Sequence, residues 1–116
     1  IEQAKIGHRI ADISRGIQDY VESKRFSIVR TLSGHGIGRK LHEEPMIPNF
    51  VIQGEPGPVL AEGMTLAIEP MVNAGKPDVK TLQDNWTVVT CDNSLSAHFE
   101  HTIAVTRDGP MILTAL

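Results

Sequence analysis

Ile6, Ile10, Ile13, Ile17, Tyr20 and Val21 recur three or four residues apart, and Glu2, Lys5, Arg9, Asp12, Arg15, Asp19 and Glu22 fall largely off their line. That spacing lays one apolar stripe along a helix and predicts an α-helix over residues 2–24. His8 falls on the charged side of this helix and reads as solvated. Phe26 to Leu32 reads as a strand running into Gly34-His35-Gly36-Ile37-Gly38, and residues 39–44 as a short helical turn stopped by Pro45. Pro45, Pro48, Pro56 and Pro58, with Gly54, Gly57 and Gly63, predict an ordered surface connection.

After Gly63 the period changes to two. Met64, Leu66 and Ile68 alternate with Thr65, Ala67 and Glu69, as in a half-buried strand. The polar run from Asn73 to Asp84 predicts a loop, Trp86 to Cys91 a strand, and Asp92-Asn93-Ser94 a turn. Residues 97–106 alternate again: Phe99, His101, Ile103 and Val105 face one way, and His98, Glu100, Thr102, Ala104 and Thr106 the other. Arg107-Asp108-Gly109-Pro110 then turns the chain into a last strand from Met111 to Thr114.

The alternation bears directly on chemistry. Glu69 and Glu100 both lie on faces with small or polar neighbours, away from the bulky aliphatic faces that pack on the helix. Two carboxylates brought together repel unless one is protonated or a cation lies between them. With His35, they make a donor set suited to a divalent metal, and Fe, Mn, Co and Zn all suit such ligands. Taken singly, a histidine beside glycine or a glutamate before proline reads as structural or as a surface group; the three together on compatible faces point to a metal and to hydrolysis. His98 shares the Glu100 face and is within approach of the site, but is not counted as a functional group. His101 is read as a hydrogen-bonded core histidine and Cys91 as a small apolar strand residue. Gly34, Gly36 and Gly38 do not have the spacing of a dinucleotide fingerprint.

Composition narrows the class further. At 116 residues the chain is one domain or a piece of one. A net charge of −3 gives no basic footprint for nucleic acid and no polybasic membrane anchor. No apolar run approaches the about 18 residues of a membrane span. Cys91 is the only cysteine, so an internal disulfide is excluded and a reducing, cytoplasmic setting is the expectation. The chain opens in a helical pattern without Met or a signal-like segment, which suggests a fragment or a processed chain.

Four blocks carry a resemblance. Gly34-His35-Gly36-Ile37-Gly38-Arg39 with His42-Glu43-Glu44-Pro45, Gly63 to Asn73, Asp84 to Thr90, and Ser94 to Thr102 resemble the type I methionine aminopeptidases of the pita-bread metallopeptidase superfamily. The Trp86 segment and Ser96-Ala97-His98-Phe99-Glu100-His101-Thr102 favour that family over prolidases and creatinases. The resemblance implies an α+β chain: residues 1–116 as the C-terminal half of a pita-bread catalytic domain, one long N-terminal helix packed on a curved, mainly antiparallel sheet.

The resemblance also implies roles. His35, Glu69 and Glu100 look like three of five ligands of a two-metal site, with Glu100 bridging and Glu69 also serving as general base toward the attacking water. His42 resembles an imidazole that hydrogen-bonds the substrate amide, and Trp86 a wall of the pocket for the initiator Met. Leu41 stands where many relatives carry an aromatic pocket residue. The implied activity is metal-dependent removal of N-terminal Met from nascent chains, with two divalent ions (Co, Mn, Fe or Zn) per complete site. The family's two aspartate ligands lie in the half that precedes this chain, and Asp12 and Asp19 do not replace them. The isolated chain is therefore expected to be inactive and prone to self-association or to pairing with an N-terminal half. The alternatives are a non-catalytic binding module on the same fold and a prolidase-like Xaa-Pro peptidase.

Overall fold

The apolar stripe forms a helix that starts later than its spacing predicts: in the computed structural model, which describes residues 1–116, α1 spans Ile10–Ser23. Gly7 at φ +86° breaks the helical path, and Arg9 is extended, its N–H donating to Asp12 Oδ2 at 2.7 Å. The first-turn donors turn to a distant segment: Ile10 N–H to the Pro58 carbonyl (3.3 Å) and Ala11 N–H to that of Pro56 (3.0 Å). His8 and Gly7 exchange backbone bonds with Leu60, so residues ahead of α1 pair with the proline-rich connection instead of coiling. His8 is accordingly half-buried, with Nδ1 3.0 Å from the Gln3 carbonyl oxygen. The connection is partly interior, since Asn49 and Leu60 are buried.

Ten short strands follow or flank it: β1 (Ser27–Ile28), β2 (Ser33–Gly36), β3 (Glu43–Pro48), β4 (Thr65–Ile68), β5 (Met71–Asn73), β6 (Val79–Thr81), β7 (Val88–Thr90), β8 (Ser96–His98), β9 (His101–Thr106) and β10 (Gly109–Ile112). They form an antiparallel five-stranded sheet in the order β10-β9-β4-β2-β3, a three-stranded sheet β1-β5-β8, and the hairpin β6-β7. Several sequence expectations change here. The Phe26–Leu32 strand is divided, its start joining β5 and its continuation delayed to β2. Residues 39–42 are bends, and the expected helical turn gives way to β3, which pairs along β2. Pro45 and Pro48 are tolerated there because β3 is a sheet edge, where a missing N–H costs no ladder bond. The Asn73–Asp84 loop contains β6, and Cys91 is exposed just beyond β7.

The core lies between α1 and one face of the five-stranded sheet. Ile10 and Ile13 of α1 meet Ile47 of β3, Leu66 and Ile68 of β4, and Ile103 and Val105 of β9, with Ala4 and Leu60 closing the cluster. Full burial of each such aliphatic side chain contributes about 1.5–3 kcal/mol. The alternation in residues 64–68 and 103–106 thus does what its period predicts, and Ala67 is buried on the opposite face as well.

Candidate metal centre

The ladder between β4 and β9 sets Ala67 opposite Thr102 and Ile68 opposite His101. Carried one step on, the same register sets Glu69 opposite Glu100. The ladder then resumes between β5 and β8, with Met71 opposite His98 and Asn73 opposite Ser96, in unchanged register. The expected 97–106 strand is therefore real in register but interrupted at Phe99 and Glu100. Pro70 has no N–H to give the ladder, and both carboxylates sit in the gap beside it. The turn away from the core also exposes Phe99 and His101, correcting their expected burial; His101 Nδ1 lies 2.8 Å from Thr114 Oγ1.

His35 enters from the neighbouring strand, paired with Ala67 on β4 and Met46 on β3. Its flanking glycines serve backbone packing: a Cβ on Gly34 would overlap the Ala67 carbonyl oxygen, and one on Gly36 the Glu44 carbonyl oxygen. Close approach of β3 and β4 on either side is what brings the imidazole level with the gap.

One nitrogen of His35, Nδ1, lies 2.8 Å from the Gly36 carbonyl oxygen, to which it donates. That bond leaves Nε2 as the open donor atom of the neutral ring, the arrangement typical of a metal-binding histidine. Nε2 lies 3.0 Å from Glu69 Oε1, the separation expected of two atoms sharing one cation. Ligating atoms of His35, Glu69 and Glu100 all fall within 4.8 Å of one another. The His35 and Glu69 side chains are only 12% and 15% exposed, so a cation there offsets like-charge repulsion in a partly desolvated setting. The donor set, one imidazole and two carboxylates, fits a divalent ion of the Mn, Fe, Co or Zn type.

A cavity of about 1080 Å³ opens from this group, lined among others by His35, Glu69, His42, Met71, Trp86 and His98. The His42 ring centroid lies 4.1 Å from that of His35, tilted by 48°. Trp86 also lines it, set by a turn in which Asp84 accepts bonds from Trp86 N–H, Thr87 N–H and the Thr87 hydroxyl. The Thr87 hydroxyl, then its N–H and that of Trp86, hold the Asp84 carboxyl below its ordinary value. Leu41 is exposed and does not line the cavity. His98, left out by sequence reasoning, has Nε2 3.2 Å from Glu69 Oε2. The signal that finds it is the Met71–His98 pairing, which sets it diagonal to Glu69 on the same face.

An imidazole with one nitrogen tied to backbone, two facing carboxylates and an open cavity beside them make a donor set that fits a divalent cation. The chain belongs to metallopeptidase family M24, whose family model matches residues 1–107. Among its relatives, the methionine aminopeptidase of Clostridium perfringens is 58% identical over 116 residues, covering 100% of this chain and 46% of that protein. Methionine aminopeptidase 1 of Bacillus subtilis is also 58% identical, covering 98% and 46% respectively. The crystal structure of the Thermotoga maritima methionine aminopeptidase matches with a TM-score of 0.94 at 52% identity, covering 100% of this chain and 46% of that one. The chain thus has the α+β, antiparallel fold of these pita-bread enzymes and spans about half the length of the curated relatives it matches. No helix is long and apolar enough to cross a membrane.

Proposed function

We propose that this chain is the C-terminal half of a methionine aminopeptidase catalytic domain, contributing three metal ligands and one side of the substrate pocket to the removal of N-terminal Met from nascent polypeptides. The observation that carries the reading is the convergence of His35, Glu69 and Glu100 within 4.8 Å at a gap in the ladder. A divalent ion held there supplies Lewis acidity that polarises a peptide carbonyl and acidifies water near neutral pH. Glu69 takes the proton from the attacking water, and its low exposure strengthens that interaction by excluding bulk solvent. His42, beside His35 on the cavity wall, donates a hydrogen bond to the substrate amide and stabilises charge developing on the carbonyl oxygen. Trp86 covers the apolar Met side chain, whereas Leu41, exposed and away from the cavity lining, has no part in the pocket of this half.

Trp86, Leu95 and Phe99, 86%, 84% and 78% exposed, offer apolar surface for an N-terminal half to cover, and left uncovered such surface favours self-association. The half-site holds one metal and is inactive alone. The test is Met release from a Met-Ala-Ser peptide with Mn(II) or Co(II), using this chain alone and joined to the remainder of the longer protein, with a chelated control. Chelator-sensitive release by the joined protein only is the expected result. Hydrolysis of Xaa-Pro peptides instead would move the protein to the prolidase-like class, and folded, metal-loaded protein without either activity would make it a binding module.

A further inference from the structure

The metal-site reading leaves one imidazole in the cavity without a role. His98 lies diagonal to Glu69 across the ladder, with Nε2 3.2 Å from Glu69 Oε2, while His35 Nε2 is 3.0 Å from Oε1. Each oxygen of one carboxylate therefore faces a different ring. The rings differ in character. His35 is 12% exposed and belongs to the compact donor group, whereas His98 is 49% exposed and falls outside the three residues whose ligating atoms lie within 4.8 Å. A carboxylate oxygen only accepts, so the His98 contact is a hydrogen bond when the proton sits on Nε2.

We propose that His98 is a positioning residue: its Nε2–H donates to Glu69 Oε2 and stops the carboxylate from rotating, so that Oε1 stays aimed at His35 and the cation they share. This rests on the reading that His35, Glu69 and Glu100 hold a divalent ion. A carboxylate at a strand end is otherwise free to turn about its terminal torsion, which is broad and roughly two-fold. Outer donors of this kind fix ligand orientation and sustain metal affinity.

The test is calorimetric titration with Mn(II) at pH 8, where imidazoles are largely neutral, on wild type, His98→Ala, His98→Gln and His98→Asn. The half-exposed position keeps all three variants foldable, checked by equal unfolding midpoints without metal. His98→Ala is expected to bind Mn(II) about tenfold or more weakly. His98→Gln, whose amide nitrogen reaches as far as Nε2 and donates, restores near wild-type affinity; His98→Asn, which reaches only as far as Nδ1, does not. Unchanged affinity in His98→Ala overturns the proposal, and so does His98→Gln as weak as His98→Ala, the result for a direct ligand. Long-range 1H–15N spectra of the metal-free protein read the contact independently. The Nε2–H tautomer of His98, lost in Glu69→Ala, is the supporting result, and the Nδ1–H tautomer overturns the proposal. Wild type that takes up no Mn(II) overturns the metal reading, and the spectra then decide alone whether His98 fixes Glu69.

Discussion

The two faces of the β4–β9 ladder are built for opposite purposes. On the inner face Leu66, Ile68, Ile103 and Val105 are 5% exposed or less and pack on α1. On the outer face the positions in line with Ala67 and Thr102 carry Glu69 and Glu100, and the residues around them include exposed Phe99, Leu95 and Trp86. One face holds the chain together with apolar area alone; the other gathers like charges that weaken it. A ladder of constant register lets both coexist, because side chains two residues apart share a face while their neighbours serve the other. Stability and chemistry are thus separable by substitution, and the following outcomes measure how separable.

The largest effect falls on the inner face. Ile103→Ala should lower stability by about 2–5 kcal/mol, read as a fall in the urea midpoint with an unchanged slope. Next comes the cation. Mn(II) at a hundredfold excess over its Kd should stabilise the chain by about 2.7 kcal/mol, reversed by chelator. Glu100→Gln should abolish that gain while leaving the metal-free protein at least as stable, since a repulsive charge is gone; a metal-free protein that loses stability on this change would mean that Glu100 is structural. Phe99→Ser or Leu95→Ser on the open face should stay within about 0.5 kcal/mol in unfolding, while reducing self-association measured by light scattering.

The smallest effect is a matter of pH. Asp92 accepts from the N–H groups of Lys76 and Ser94, and these bonds, that of Lys76 chiefly, hold its carboxyl down at about 2 from 3.8. A carboxyl depressed by folding adds stability above its unfolded value that is lost as pH falls through the folded one. Asp92→Asn should therefore lower stability slightly at neutrality and flatten the stability profile between about pH 4 and pH 2, where its difference from wild type closes; an unchanged profile in that window would mean that the turn adds no pH-dependent stability.

What the sequence made legible was local. The period-two alternation in residues 64–69 and 97–106 put Glu69 and Glu100 on compatible faces, and the three-and-four spacing found the stripe of α1. What it hid depended on distant partners. The helix begins at Ile10 because carbonyls of Pro56 and Pro58, far along the chain, take its first donors. The expected 39–44 helical turn is bends over 39–42, and its last two residues open β3 because β2 offered an unpaired edge. Gly34 and Gly36, legible in the sequence only as the flanks of His35, prove to be room for neighbouring backbone. His98 was visible as a residue on the right face, but its approach to Glu69 requires knowing that β8 pairs with β5 in the register β9 keeps with β4.

That shared register makes chain length at the gap a harder constraint than residue identity. An extra residue between Phe99 and Glu100 would leave β9 seated against β4, yet would turn the alternate side chains of β8 toward the cavity, presenting Phe99 where His98 now stands. Insertions and deletions at Glu69-Pro70 and Phe99-Glu100 should accordingly abolish Mn(II) binding, while the same changes at the exposed Gln53-Gly54 turn leave it in place.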